Sequence, residues 1–364
     1  MPQEEPTTRE AVSLASLARA SNGFDTIRLI AATAVIFSHA FPLTGQVEPL
    51  HAFTGQATFG MLAVSVFFAI SGYLIPMSFD RGGIGRYAMK RARRIMPALI
   101  VAVLLCAFLL GPIYTTLPLA EYLRAPGTWK FVGNALFLPV GYDLPGVFTA
   151  NPMDDVNGSL WSLKFEIACY IFVVAALVFT PLRKLAVVGA WLASFVIVRL
   201  IPGDGQGVWF FVDQLAALFR FFGMGMVFYL FSDRIIVKKS WGWIAFAIFA
   251  ASAFTPFFVE VCATAGIYAL FVFAYNAHGR FREVTAKGDI SYGVYVYAFP
   301  VQQMLVPASL GLAAGGMALA PWLNTALALI PVFALGVWSW LYVEKPALFY
   351  KHKTITRPSL KTTD

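Results

Sequence analysis

Two ionisable residues in the first long apolar run are spaced for joint chemistry. Arg28 and His39 stand eleven residues apart in Phe24-Asp25-Thr26-Ile27-Arg28 through Phe37-Ser38-His39. At ~100° per residue, eleven steps make about three turns, so both point to one face of a helix, roughly 16 Å apart along its axis. Histidine is the side chain best suited to moving a proton near neutral pH. The plain structural readings are a snorkelling anchor for Arg28 and a satisfied core histidine for His39.

Further ionisable groups stand in other apolar runs. Glu166 follows in Leu160-Trp161-Ser162-Leu163-Lys164-Phe165-Glu166, and Arg220 falls near the middle of a later run. Ionisable groups at membrane depth are costly and are functional candidates by default. Their bland alternatives are ion pairs: Glu166 with Arg220 or Lys164, and Arg220 with Asp213 seven residues earlier. Counting from the ends of their runs places His39 and Glu166 at similar depth, towards the outside. A fourth group is the basic stretch 81–94 followed by Ile95-Met96-Pro97, in which Arg91 and Arg94 share a helical face. Arginine forks suit phosphate. Attraction to anionic lipid explains the same charge.

These residues need membrane helices to hold them. Of the 364 residues, 59% are hydrophobic and 13% charged, and the mean hydropathy is +0.71. Soluble domains hold about 25% charged residues, so an ordinary cytosolic enzyme, a disordered chain and a secreted disulfide scaffold are excluded. The apolar runs are continuous rather than alternating, which favours helices over a membrane barrel. The expected fold is all-α and polytopic, with ten spans at about 24–44, 57–79, 95–117, 159–180, 185–201, 211–231, 241–257, 258–277, 290–310 and 322–343. The turn between the seventh and eighth, at Pro256, is the least defined.

Orientation follows from the basic residues. With the N-terminus in the cytoplasm, 22 Lys and Arg residues fall in inner segments and three in outer ones. Both termini are therefore expected to be cytoplasmic. The net charge of +8 reads as topology rather than as affinity for nucleic acid. The expected organisation is a cytoplasmic segment 1–22 without a cleavable signal, a transmembrane domain 23–346 and a cytoplasmic tail 347–364. The long outer segment 118–158 is expected to carry function or a short surface helix. Cys106, Cys169 and Cys262 lie in apolar runs without metal or disulfide spacing, so no metal site is expected.

In these residues the chain resembles the acyltransferase-3 family of integral membrane O-acyltransferases. The family's Arg, ten intervening residues and His match Arg28 and His39. Its Phe-Phe-x-x-Ser-Gly matches Phe67, Phe68, Ser71 and Gly72. Its Arg-x-x-Arg with a nearby Pro matches Arg91, Arg94 and Pro97. Its Trp-x-Leu-x-x-Glu-x-x-x-Tyr matches Trp161, Leu163, Glu166 and Tyr170. Ser-Tyr-x-x-Tyr before a Pro matches Ser291, Tyr292, Tyr295 and Pro300, and the closing Glu-x-Pro matches Glu344 and Pro346. The matches keep their order from residue 24 to 346. One position departs: many members carry a His before the Phe-Pro of the ninth span, where this chain has Ala298. A scheme needing two histidines therefore does not transfer.

The resemblance implies transfer of an acyl group, commonly acetyl from acetyl-CoA, to a hydroxyl of an outward-facing glycan at the bacterial inner membrane. No bound cofactor is implied; acyl-CoA is a substrate. On that reading His39 and Glu166 are catalytic, with His39 either a general base or a transient acyl carrier. Arg28, Arg91, Arg94 and Ser71 face the acyl-CoA. Trp161, Tyr170 and Arg220 face the acceptor, and membrane lipid surrounds the whole. The competing readings are a transporter or flippase for a polar or anionic solute, and a scaffold whose charges only pair.

Overall fold

The computed structural model describes residues 12–17, 22–80, 82–136, 141–178, 182–201, 207–286, 288–313 and 316–349. Most of the expected N-terminal segment and nearly all of the expected tail lie outside the described residues, as do Arg81 and Lys287 of the basic links.

Among the described residues, ten helices overlap the expected spans: α1 (Phe24–Leu43), α2 (Phe59–Asp80), α3 (Gly83–Tyr114), α4 (Gly158–Val178), α5 (Arg183–Leu200), α6 (Val208–Leu230), α7 (Lys239–Ser252), α8 (Phe258–Asn276), α9 (Ser291–Leu312) and α10 (Met317–Phe349). All but α5, α7 and α9 are long and apolar enough to cross a membrane by length and composition. The three exceptions have separate causes. Helix α5 carries Arg183, Lys184 and Arg199. Helix α7 has only 14 residues, about 21 Å of rise. Helix α9 is wrapped by protein rather than lipid, so it can carry Gln302, Gln303 and four tyrosine or serine side chains in its buried face. Among the described residues the only paired strands are β1 (Val12–Ser13) and β2 (Ile236–Val237), two residues each, which join the chain start to the α6–α7 link.

Small residues set the closest helix contact. A Cβ on Gly72 of α2 would lie 2.0 Å from the Phe222 carbonyl oxygen of α6, and one on Gly225 would lie 2.1 Å from that of Ala69. Only glycine lets the two backbones approach so closely. The motif around Ser71 and Gly72 thus sits within α2, at a helix crossing. Helix α9 is held by buried amides: Gln302 Nε2 donates to the Ile36 carbonyl of α1 at 2.7 Å and to Asn324 Oδ1 of α10 at 3.0 Å. Such bonds join helices where no water competes.

The links at the His39 end are also built. In the link from α1 to α2, the Glu48 carboxylate accepts from the backbone N–H of His51 at 2.9 Å and of Phe59 at 3.1 Å. One carboxylate therefore caps both the short helix Pro49–Thr54 and the start of α2. The long segment between α3 and α4 contains the expected surface helices, Leu119–Arg124 and Pro126–Val132. It is tied to α9 by Asn151 Nδ2 to Gln303 Oε1 at 2.8 Å and Asn157 Nδ2 to the Val296 carbonyl at 3.0 Å.

Candidate functional site

Helices α1, α2 and α4 line two cavities, one towards each end of the bundle. The first, of about 430 Å³, is lined by Arg28, Ser71, Arg91, Arg94, Glu166 and Tyr170, with Lys90, Asp289, Tyr292 and Tyr295 among its other walls. Four sequence elements therefore converge: the start of α1, the small-residue stretch of α2, the basic start of α3, and α4. All four residues expected to face acyl-CoA are in this cavity.

The arginines are not equivalent. Arg94 Nη2 lies 2.5 Å from Asp289 Oδ2, and its Nη1 lies 3.4 Å from Glu344 Oε2. Glu344 is fully buried and also accepts from Ser339 Oγ at 2.9 Å. Arg28 sits between Asp25 at 3.5 Å and Asp289 at 3.7 Å. Arg91 stands over the Tyr170 ring, 6.0 Å from its centroid, and its buried Nε has no hydrogen-bond partner. Asp289, in the link before α9, is buried, which alone would raise its carboxyl. Arg94 and Arg28 outweigh that and hold it below the usual range, helped by bonds from Ser291. Asp289 accepts from the Ser291 backbone N–H at the start of α9 and is also the hub of the arginine network.

Glu166 and Tyr170 share this cavity. The Tyr170 hydroxyl donates to Glu166 Oε1, as their spacing of four residues on a helix allows. Neither expected partner holds Glu166: Lys164 stacks instead on Phe165 and Phe210, at 5.0 and 6.0 Å. Sequence counting put Glu166 level with His39. The structure lines the two up on different cavities. The first turn of α4 is a 3-10 turn, Gly158–Ser162, and Glu166 stands in the α-helix that continues it.

His39 lines the second cavity, of about 330 Å³, with Ser38, Glu48, His51, Gly60, Met61, Val64 and Trp161 among its walls. Its ring meets Phe299 edge to face at 5.1 Å, and its buried Nδ1 has no hydrogen-bond partner. Ala298, beside Phe299, is fully buried. Of the three residues expected to face the acceptor, Trp161 alone lines the His39 cavity; Tyr170 lies in the arginine cavity. Arg220 lines neither: it lies 3.8 Å from Glu260, whose carboxylate also takes Arg199 at 2.6 Å, and it stands over Phe195. Asp213, its expected partner, accepts from Gln214 instead. Glu48 and His51 went unread in the sequence because they stand between the first two expected spans, outside both. The one available signal was Glu48 before Pro49, a helix start.

A family model described as an acyltransferase domain matches residues 21–341. The chain belongs to the acyltransferase-3 family. The match spans all four elements of the arginine cavity and His39. An O-acetyl transferase of Shigella phage Sf6 is 32% identical over 344 residues, covering 89% of this chain and 95% of that protein. Nodulation protein 10 of Rhizobium leguminosarum bv. viciae is 27% identical over 377 residues, covering 92% and 95%. No solved structure matches the chain. The protein is thus an acyltransferase acting on groups other than amino-acyl groups, built as a multi-pass membrane protein.

Proposed function

We propose that this acyltransferase moves an acetyl group from cytosolic acetyl-CoA to a hydroxyl of an exported or envelope glycan, at the bacterial inner membrane. The observation that carries the reading is the division of the site. A cavity walled by arginines holds Arg91 with an unpaired Nε, and a second cavity holds His39 with an unpaired Nδ1. An arginine with spare donors is what a CoA phosphate needs. A histidine with a spare ring nitrogen is what an acceptor hydroxyl needs.

In this reading Arg91 and Arg28 take the phosphates, while Arg94 is held by Asp289 and Glu344 and fixes the cavity wall. Ser71, Glu166 and Tyr170 offer hydrogen bonds to the pantetheine arm. His39 takes the proton of the acceptor hydroxyl as its oxygen attacks the thioester carbon. The carbon–sulfur bond breaks, a carbon–oxygen bond forms, and the proton ends on the CoA sulfur. Trp161 offers a flat apolar face for a sugar ring. The name of the phage relative, an O-acetyl transferase, supports acetyl as the group and oxygen as its destination. Family membership supports the enzyme over a transporter or a scaffold.

The test is direct. A ligand bound only by the folded protein raises its melting temperature. Acetyl-CoA should do so for the purified protein, and inorganic phosphate at equal concentration should not. Radiolabel from acetyl-CoA should then appear in an alkali-labile ester of the envelope glycan. No shift and no labelled ester would overturn the reading.

A further inference from the structure

The two cavities are consecutive along three helices. On α1, Arg28 lines the first and His39 the second. On α2, Ser71 lines the first and Gly60 the second. At the start of α4, Ser162 lines the first and Trp161 the second. One residue, Val64 of α2, lines both. It is 5% exposed, a packed side chain that the two cavities share. Gly60, one turn away on α2, brings that helix close to α1: a Cβ there would lie 2.9 Å from Ser38 Oγ.

Resting on the assignment of the first cavity to the acyl donor, we infer that Val64 is the gate through which the acyl end of the donor reaches His39. It thereby limits the length of acyl group that is transferred. The Arg28-to-His39 rise of roughly 16 Å must be spanned by the donor's arm, and the last part of that path runs past Val64. A β-branched side chain is stiff about χ1, so the opening has a fixed width. In the transfer step the thioester carbon–sulfur bond breaks and the ester carbon–oxygen bond forms. The hydroxyl proton passes through His39 to the CoA sulfur, so free CoA and the ester are the products.

The test uses membranes of cells making the full chain, with their own acceptor present. Free CoA thiol is followed with acetyl-CoA, propionyl-CoA and butyryl-CoA, and acetyl-CoA binding is measured separately on purified protein. One methylene in a closed apolar site is worth about 10- to 200-fold in rate. Val64→Phe should still bind acetyl-CoA, yet release CoA at least about tenfold more slowly than the wild type. Val64→Ala should raise the butyryl-to-acetyl rate ratio at least about tenfold, a change that mere loosening of the core would not produce. Wild-type turnover in Val64→Phe, or an unchanged acyl-length profile in Val64→Ala, overturns the gate. If Val64→Phe does not fold, the Val64→Ala profile decides alone. A wild-type protein that binds no acyl-CoA overturns the donor assignment and the gate with it, and so is distinguishable from failure of the gate alone.

Discussion

Arg94 and Asp289 are joined at 2.5 Å, which ties the basic start of α3 to the link before α9, while the other arm of the same guanidinium reaches Glu344 of α10. Arg94 is therefore committed to carboxylates, and Arg91, three residues earlier, is not. The shared helical face visible in the sequence divides into one arginine held by carboxylates and one that stands over Tyr170.

Loss of Arg94 should cost stability before it costs affinity. Removing one partner from a buried ion pair costs about 3–5 kcal/mol, and Arg94→Ala would leave the fully buried Glu344 uncompensated. Its melting temperature in detergent should fall by many degrees. Arg91→Ala should melt near the wild type and lose acetyl-CoA affinity. Equal melting of the two variants would refute the division.

The same hub gives a pH dependence. The Asp289 carboxyl, ordinarily at 3.8, is lowered in the folded protein despite its burial, because Arg94 and Arg28 stabilise its charged form. A group lowered on folding contributes stability that is present above its unfolded value and lost as pH falls through its folded value. The melting temperature should accordingly drop steeply below about pH 4. Asp289→Asn should lower it at neutral pH and flatten the acid limb. An unchanged acid limb in Asp289→Asn would place the acid sensitivity elsewhere.

Gly72 predicts a packing limit. Its Cβ would meet the Phe222 carbonyl oxygen at 2.0 Å, and backbone cannot yield as a side-chain end does. Gly72→Ala should destabilise by about 1–3 kcal/mol or more, read as a lower melting temperature with a normal acyl-length profile in whatever protein folds. Ser71→Ala, beside it, should melt as the wild type does.

Tyr170 positions Glu166 through its hydroxyl, inside the arginine cavity rather than beside His39. Tyr170→Phe should therefore raise the KM for acetyl-CoA about tenfold, ~1.4 kcal/mol, and leave kcat within a few fold. A fall in kcat at unchanged KM would instead put the pair in the chemical step.

The sequence disclosed the helices because lipid demands long apolar runs, and every expected span overlaps one helix. It pointed to four residues of the arginine cavity, Arg28, Ser71, Arg91 and Arg94, through type and spacing; Glu166 and Tyr170 were expected towards the acceptor and line this cavity instead. It could not disclose who pairs with whom. Asp289 and Glu344 are 195 and 250 residues from Arg94, and no helical period connects them. Counting residues along each run could not show that Glu166 lines the arginine cavity while His39 lines the second. Arg220 was expected to pair with Asp213 or to face the acceptor, yet the carboxylate beside it is Glu260, on another helix. Val64 carries no chemical signal at all, and its place between two cavities is purely a matter of packing.

The central claim is that His39 takes the acceptor's proton. It is tested most directly by replacing His39 with Ala in the cells that make the protein and measuring ester-linked acetyl groups on their envelope glycans by mass spectrometry. Melting of the purified variant serves as the folding control. The account predicts a folded variant that still binds acetyl-CoA and whose glycan acetylation falls at least about 100-fold, the lower range of general-base contributions. Glycans acetylated to the same level in wild type and His39→Ala would contradict it.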